Sequence, residues 1–406
     1  MSKEHTSLPL PFGNSELYVV RDDLVRLRDE LEEFLSGMWY MNSPKFSRDV
    51  LFTHEVQANN VIEGYKDDVE LIYNAVHHNL NITDQERKQR ILNLYKGYRY
   101  ILQGKPITPD TIKELYTILS ENLLDEYQRT HMGEYYRDGE VIIDLKGDIF
   151  LTDDELDNII AVKRYHQYSM DPYYKERYKN VYIGLEPSQV TSHMNALLDY
   201  MQHDDMFNTG AKTDTFMKSQ IMHFYFVYIH PYFDINGRTA RTASMWYLMN
   251  NGAYPYIIFN RAITLAKSEY YRVIKDVRQF HNVTFFINYM MKHTLIELEK
   301  EHLMELIGLN LSEDLTSLDF QSLHYILSMK GNMTYADFST FYNNQNERKN
   351  IGVIYKTMLE PLLEKGVIVE GKETNKGFLP TGSNHFFSLN DRLFDKDDPK
   401  IKHLKI

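Results

Sequence analysis

Apolar residues recur at helical spacing along most of this 406-residue chain, with charged residues between them. This spacing predicts a mainly helical protein. The helical stretches that it marks are 22–35, 47–64, 67–103, a helix beginning at Thr108 or Asp110, another opening at 186–188, then 212–229, 237–250, 265–279 and 283–306. The stretch 212–229 is apolar on almost every face, so we expect it at the centre of the core.

A region in the middle of the chain departs from the helical pattern. Residues 139–150 read as strands, and we expect a β-hairpin there with its tip near Lys146-Gly147-Asp148. A short strand is predicted at 181–184, whereas the residues between are polar and rich in tyrosine.

The end of the chain carries a second kind of pattern. Three helices are predicted at 320–329, 335–342 and 351–364, and a small hairpin follows them, ending near Phe386-Phe387. Three helices followed by a hairpin are typical of a winged helix-turn-helix domain.

Composition narrows the class of protein. A chain of 406 residues with 43% hydrophobic residues predicts two or three domains with sizeable cores. The net charge of −12 argues against a protein that coats nucleic acid, because phosphate contacts need clustered lysine and arginine. The absence of cysteine excludes thiol nucleophiles, disulfides and cysteine-ligated zinc.

The location of the protein follows from what the sequence lacks. The N-terminal residues have no apolar core of signal-peptide type, and the longest apolar run, 221–229, is too short to span a bilayer. We therefore expect a cytoplasmic protein without a membrane partner.

The segment from His230 to Arg241 carries the candidate chemistry. A buried helix ends at His230, because Pro231 cannot continue it, and a short loop then brings in Asp234. A new helix begins near Asn236-Gly237, and its first turn offers unpaired N–H groups and the positive end of the helix dipole to an anion.

Two arginines complete this pattern. Arg238 and Arg241 stand three residues apart and share one face of the new helix, where guanidinium groups suit a polyphosphate. Asp234 can hold Mg²⁺ against phosphate oxygens, and His230 can take a proton from an incoming hydroxyl. Each part also has an ordinary structural interpretation, but together they indicate phosphoryl or nucleotidyl transfer.

At these residues the sequence resembles the Fic family. The family motif is matched by His230, Asp234, Asn236, Gly237, Arg238 and Arg241. Two positions depart from it: Tyr232 replaces a phenylalanine and adds a hydroxyl that needs a partner, and Ile235 replaces a glycine. A β-branched residue takes a left-handed conformation with difficulty and can crowd the ligand, so we expect an effect on turnover and nucleotide identity rather than on the fold.

The resemblance covers about residues 50–295. It implies a Fic-type helical bundle with a small β-hairpin flap, and the terminal winged helix also resembles the tail of bacterial members. The implied segments are an N-terminal helical region (1–110), a catalytic core (111–310) and the winged helix-turn-helix (311–406). Stretches 133–137 and 181–184 resemble those flanking the family's target-docking flap. Because residues 145–180 resemble an insertion, the resemblance leaves open which of the two predicted strands is the flap, and the docking role that it implies is assigned to Val181, Tyr182 and Ile183. Tyr270 and Tyr271 resemble the tyrosine pair near the nucleotide base, although core packing explains them equally well.

A second resemblance lies near the N-terminus. Family members often carry an inhibitory helix that ends in a Glu followed by Gly or Asn, and Glu63-Gly64 match that ending at the close of the helix 47–64. Asn59 replaces the usual Ser or Thr. The resemblance implies that Glu63 pairs with Arg241 and takes the place that the γ-phosphate needs.

The activity implied is transfer of AMP from ATP, with Mg²⁺, to a Ser, Thr or Tyr hydroxyl of a protein substrate. Self-modification and a homodimer are compatible with it. Two other functions stay open. The terminal domain is compatible with a DNA-binding regulator, although its third helix holds Glu360 and Glu364 beside Lys356. The Ile235 departure is compatible with a nucleotide-sensing scaffold that transfers little or nothing.

Overall fold

The computed structural model describes residues 7–9, 17–36, 48–78, 80, 82–144, 181–203, 207, 209–329, 334–371 and 386–404. The protein is mainly helical, as the apolar spacing predicts. Its helices are α1 (Val25–Ser36), α2 (Arg48–Ile62), α3 (Val69–His77), α4 (Gln85–Ile101), α5 (Pro109–Ser120), α6 (Glu126–Thr130), α7 (Pro187–His203), α8 (Lys212–Ile229), α9 (Asn236–Asn250), α10 (Phe259–Leu265), α11 (Lys267–Phe280), α12 (Thr284–Leu309), α13 (Ser317–Ser328), α14 (Tyr335–Gln345), α15 (Ile351–Ile354) and α16 (Glu360–Glu364). None of these described helices combines the length and the apolar character needed to cross a bilayer.

The described strands form three antiparallel pairs. Their ranges are β1 (Ser7–Pro9) with β2 (Tyr18–Val20), β3 (Ile142–Asp144) with β4 (Val181–Ile183), and β5 (Ile368–Gly371) with β6 (Phe386–Leu389). The chain divides into two compact units: residues 1–35, 82–257 and 266–291 form the first, and residues 36–81, 258–265 and 292–406 form the second. The segment boundaries at 110 and 310 stay a prediction.

Helix α8 is the centre of the first unit. Nearly all of its side chains are buried, and it packs against α7 and α9. Its observed bounds, Lys212–Ile229, confirm the prediction of a central helix. The helix ends where expected, because Pro231 restricts the backbone of the residue before it.

The predicted helix 67–103 is wrong as a single element. The structure has α3 and α4 there, and Asp84 caps the second by accepting the N–H of Arg87 at 3.0 Å. Because the Asp84 carboxylate accepts this backbone N–H, it favours the start of a new helix over continuation of the preceding one. Thr108, in contrast, forms the expected cap of α5, with Pro109 in its first turn.

The first strand of the hairpin predicted at 139–150 is present as β3, and the small antiparallel pair that it forms is consistent with the predicted β-hairpin flap. Strand β3 pairs with β4, with Ile142 opposite Ile183 and Asp144 opposite Val181. Alternation marks a strand and its faces, but it does not specify the partner strand. The predicted tip at 146–148 and the stretch 151–180 lie outside the described residues.

The end of the second unit follows the predicted order of three helices and a strand pair. Apolar side chains of α13, α14 and the third helix share one core with β5 and β6. That third helix, predicted as continuous over 351–364, contains a π-helical turn at Tyr355–Leu359. Pro361 explains it, because proline provides no N–H and crowds the carbonyl one turn before it. The identity of this region as a winged helix-turn-helix stays a prediction.

Helix α2 is held within the second unit by polar contacts. Gln57 donates to the Tyr325 hydroxyl at 3.0 Å and to Asn346 Oδ1 at 2.8 Å. Next to these, Glu55 is fully buried and lies 3.3 Å from Arg261, which also contacts Glu301 at 2.5 Å. The helix that ends before Glu63 is therefore held by the buried hydrogen bonds of Gln57 to Tyr325 and Asn346, and by the contact of Glu55 with Arg261 in α10.

Candidate active site

His230 occupies the C-cap of α8 in a left-handed conformation, with φ 53° and ψ 63°. Its N–H donates to Phe226 O at 3.0 Å, which closes the helix, and its side chain is half-buried. Nδ1 lies 3.4 Å from the carbonyl oxygen of Val227. A carbonyl beside Nδ1 favours the tautomer with its proton there, and Nε2 is then the basic nitrogen.

Asn236 shapes the loop after His230. Its Nδ2 donates to Tyr232 O at 2.8 Å, and its Oδ1 accepts the Tyr232 N–H at 2.9 Å. Asn236 is only 1% exposed, so its side chain closes the loop from inside. Its amide therefore serves loop closure, which spacing alone did not indicate.

Ile235 sits at the N-cap of α9 with φ 63°, in the left-handed region. Its side chain is buried, and it provides no side-chain cap to the helix. The left-handed conformation that a β-branched residue adopts with difficulty is therefore present at Ile235, and it strains the backbone there. Without a side-chain cap, the N–H groups of this first turn keep their capacity to bind an anion.

Arg238 and Arg241 both lie on the buried side of α9. Arg238 is 7% exposed, and its buried Nε has no hydrogen-bond partner within the described part of the chain. A buried N–H of a guanidinium group that lacks an acceptor is costly, and a bound anion would satisfy it. Gly237, the second residue of this helix, is half-buried beside it.

Two stacked tyrosines lie beside the loop. Tyr232 is fully buried, and its ring stacks on that of Tyr116. Burial raises the pKa of the Tyr116 hydroxyl, and the nearby carboxylate of Asp234 raises it further, whereas Arg238 opposes the shift. Asp234 and Arg238 therefore act on the same hydroxyl, which places the predicted metal ligand and the first arginine in one neighbourhood.

Tyr270 contacts a buried histidine, His223, that sequence reasoning missed. His223 Nε2 lies 3.0 Å from the Tyr270 hydroxyl. Burial, and secondarily the positive charge of Arg241, hold the pKa of His223 well below its usual value. Nδ1 of the neutral His223 lies 3.4 Å from Gln220 Oε1, which favours a proton on Nδ1 and leaves Nε2 to accept from the Tyr270 hydroxyl. The ring of Tyr270 lies in the core. Tyr271, by contrast, is half-buried, with Lys267 Nζ 5.9 Å from its ring centroid.

Two arginines outside the motif hold the end of α8. Arg137 Nε donates to His230 O at 2.8 Å, and Arg278 Nη2 lies 3.3 Å from Val227 O and 3.4 Å from Tyr228 O. The Arg278 guanidinium also lies 5.2 Å from the ring centroid of Tyr182, in strand β4. The only sequence signal for these residues was the resemblance of 133–137 to a flap-flanking stretch.

Glu63 belongs to the second unit. It follows the last residue of α2, its N–H donates to Asn59 O at 3.3 Å, and its side chain is exposed. Gly64 ends the helix with φ 94°, a conformation that favours glycine. The predicted ending of the helix is confirmed, and the inhibitory role of Glu63 stays a prediction.

A helical bundle carrying His230 before an uncapped helix with buried arginines defines a candidate phosphate-handling site. Residues 106–248 match the model of the Fic/DOC family. A crystal structure of a Fic family protein from Desulfovibrio desulfuricans G20 aligns over 92% of this chain and 97% of that chain, with a TM-score of 0.56 and 17% identity. This likeness confirms the Fic-type helical fold.

Among curated proteins, one relative is the protein adenylyltransferase fic-1 of Caenorhabditis elegans. It is 24% identical over 151 residues, which span 36% of this chain and 28% of that relative's length. The matched segment is thus confined to a minor part of that relative's length.

Proposed function

We propose that the protein is an adenylyltransferase that moves AMP from ATP to a hydroxyl group of a protein. The observation that carries this proposal is Arg238, whose buried Nε has no partner among the described residues, in the first turn of a helix without a side-chain cap. An anion with several oxygens would satisfy both features. The family match over 106–248 and the named activity of the C. elegans relative favour a nucleotide as that anion.

His230 is the proposed base. With Nδ1 facing the Val227 carbonyl, Nε2 accepts the proton of the incoming hydroxyl as its oxygen attacks the α-phosphorus. A bond forms between this oxygen and the phosphorus, the bond from the phosphorus to the bridging oxygen breaks, and pyrophosphate leaves. The N-terminal turn of α9 and the guanidinium groups of Arg238 and Arg241 stabilise charge on the phosphates.

Asp234 is the proposed Mg²⁺ ligand. Its side chain is exposed at the loop, and Oδ1 accepts the Ile235 N–H at 2.5 Å. No group of three or more metal-ligating side chains occurs in the part of the chain that the structure describes. A single carboxylate fits Mg²⁺, which takes most of its other ligands from substrate phosphates and water. The ion would neutralise phosphate charge.

Glu63 is the proposed brake, and β4 the proposed docking edge for the target protein. An exposed carboxylate after a firmly held helix can compete with a phosphate for an arginine. We therefore infer that the Glu63 carboxylate inhibits transfer and that removing its charge raises the rate of transfer. Val181, Tyr182 and Ile183 would pair with the target backbone, which would add a strand to β4.

The test is incubation of the purified protein with labelled ATP and Mg²⁺, followed by intact-mass measurement. We expect a gain of one AMP in Glu63→Gly and Glu63→Gln, little gain in wild type, and no gain once His230→Ala is added. His203→Ala and Glu70→Gln, which alter exposed residues in α7 and α3, are the matched controls.

Three results would overturn parts of the proposal. Undiminished labelling in His230→Ala would place the base elsewhere. Equal labelling of wild type and Glu63→Gly would remove the brake. ATP binding by calorimetry without transfer in either Glu63 variant would indicate a nucleotide-sensing scaffold.

A further inference from the structure

Arg137 makes an unusual set of contacts for an arginine. Its side chain is 2% exposed, and its three nitrogens all donate to backbone carbonyls. Nε donates to His230 O at 2.8 Å, Nη1 to Gly139 O at 2.6 Å and Nη2 to Leu185 O at 2.7 Å. One rigid guanidinium thus joins three segments that are distant in sequence.

The first segment is the end of α8. Arg137 also donates its own N–H to Pro231 O at 2.9 Å, so backbone and side chain grip two consecutive carbonyls. His230 is left-handed there, a conformation that a residue other than glycine holds only when its surroundings determine it. The positive charge of Arg137 also stabilises the C-terminus of α8, because that is the negative end of the helix dipole.

The other two segments lie side by side at one end of the β3–β4 pair, where the chain enters β3 and leaves β4. Gly139 lies three residues before β3, and Leu185 lies two residues after β4. The chain makes room for the arginine at Gly184, where a Cβ atom would lie 2.8 Å from Arg137 Nη2 and 2.6 Å from Val141 Cγ1. The guanidinium therefore fixes one end of the strand pair, where Ile142 lies opposite Ile183, to the carbonyl of His230.

We propose that Arg137 is a positioning residue. It holds His230, the proposed base, at a fixed position relative to the β3–β4 pair, which contains the proposed docking strand β4. This proposal rests on the proposed function for the roles of His230 and β4. The planar fork is essential, because three carbonyls in different directions cannot be satisfied by the single ammonium of a lysine. Arg137 touches no reacting atom; it acts through the backbone of His230.

The test compares Arg137→Lys and Arg137→Met with wild type in the Glu63→Gly background. The rate of self-labelling should fall on the order of 10²-fold, since misplacement by about 1 Å costs that much. The ATP dissociation constant should stay within about twofold, because α9 and its arginines are untouched. Arg129→Lys is the matched control, since Arg129 also donates to a backbone carbonyl, Leu124 O at 3.0 Å, but is exposed.

A second readout does not depend on activity. Backbone hydrogen exchange should quicken roughly tenfold in peptides covering 181–185 and 230–236 together, as expected for loss of charge-assisted hydrogen bonds, while α8 and α9 keep their protection. Faster exchange in only one of these segments, faster exchange throughout the chain, or a full labelling rate in both variants would overturn the proposal.

Failure of the proposed function would be seen separately. If the Glu63→Gly protein with its native Arg137 does not label itself, the adenylyltransferase proposal fails. The hydrogen-exchange experiment alone then decides whether Arg137 couples segments 181–185 and 230–236. Arg137→Lys, which keeps the charge at the end of α8, provides a folded variant if Arg137→Met does not fold.

Discussion

Tyr116 and Tyr232 stack face to face, with ring centroids 3.6 Å apart and ring planes 4° apart. Tyr232 lies two residues after His230, so this stack holds the loop of the proposed base against α5. The stack buries the Tyr232 hydroxyl, which has no hydrogen-bond partner within the described part of the chain. The motif position that favours phenylalanine therefore contains a tyrosine whose polar atom is unsatisfied.

Tyr232→Phe should stabilise the protein. The substitution keeps the stacked ring and removes a buried hydroxyl without a partner, which costs about 1–3 kcal/mol when unsatisfied. We expect a higher midpoint in urea unfolding. Tyr232→Leu, the control, loses the stack, which is worth about 0.5–1.5 kcal/mol beyond burial, and should lower the midpoint. A lower midpoint for Tyr232→Phe would show that the hydroxyl has a bound partner such as water.

At position 235, glycine should give a more stable protein than alanine, which is the reverse of their usual order in a helix. Both Ile235→Ala and Ile235→Gly lose the buried side chain, but only glycine relieves the left-handed backbone, which costs an L-residue about 1–2 kcal/mol. We expect Ile235→Gly to be the more stable of the two by roughly 1 kcal/mol in denaturant unfolding. Asn195, exposed in α7, provides the control, and there alanine should be more stable than glycine. The same order at both positions would mean that Ile235 is not strained.

Asn236→Asp should destabilise the loop in a pH-dependent way. The substitution keeps the acceptor for the Tyr232 N–H but places a second oxygen against Tyr232 O, where Nδ2 now donates. Leaving that carbonyl unsatisfied costs about 1–3 kcal/mol. Protonation lets the introduced carboxyl donate, so the loss should be largest at pH 8 and smallest near pH 4. Thermal unfolding of variant and wild type across this range checks it. A difference independent of pH would show that the amide donor is unimportant.

Glu55 should make the second unit less stable as pH rises from about 4.5 to 7. Burial raises the pKa of Glu55 to about 7, although Arg261 opposes the shift. Over this window the unfolded chain ionises Glu55 while the folded unit keeps it protonated, so the free energy of unfolding falls. Glu55→Gln cannot ionise, and the difference between variant and wild type should therefore favour the variant increasingly up to pH 7.

The other charged groups of this cluster make the difference measurement necessary. They are Glu297, Lys300, Glu301, His54 and His324. Burial lowers the pKa of His54 to about 3, and this group contributes a slope of the opposite sign between about 3 and 6.5. Since His54 is present in both proteins, its contribution cancels. A variant-to-wild-type difference that is flat with pH would show that Glu55 is ionised in the folded protein.

The central part of the site could be predicted because its signals are local. Helix α8, its stop at Pro231 and the start of α9 follow from apolar pattern and proline chemistry within a few residues. The partner of β3 could not be predicted, because strand alternation specifies faces and not neighbours. Nor could the role of Arg137, whose bond to His230 spans 93 residues of sequence.

The burial of individual side chains could not be predicted from the sequence either. Tyr270 and Tyr271 are adjacent and similar, yet Tyr270 is 2% exposed whereas Tyr271 is half-buried. The packing of Phe286 and Tyr289 against Tyr270 decides this, and both come from another helix. Tertiary contacts of this kind give no periodic signal within α11.

Strand β3 ends at Asp144 and β4 begins at Val181, and these two residues are partners at one end of the pair. The entropy of closing a loop grows only with the logarithm of its length, about 0.6 kcal/mol for each doubling. Lengthening or shortening this connection therefore changes little in the pair itself, because Arg137 fastens the opposite end of the pair. Evolution can vary the connecting segment, and engineers can splice a reporter into it, while the geometry beside the histidine is preserved.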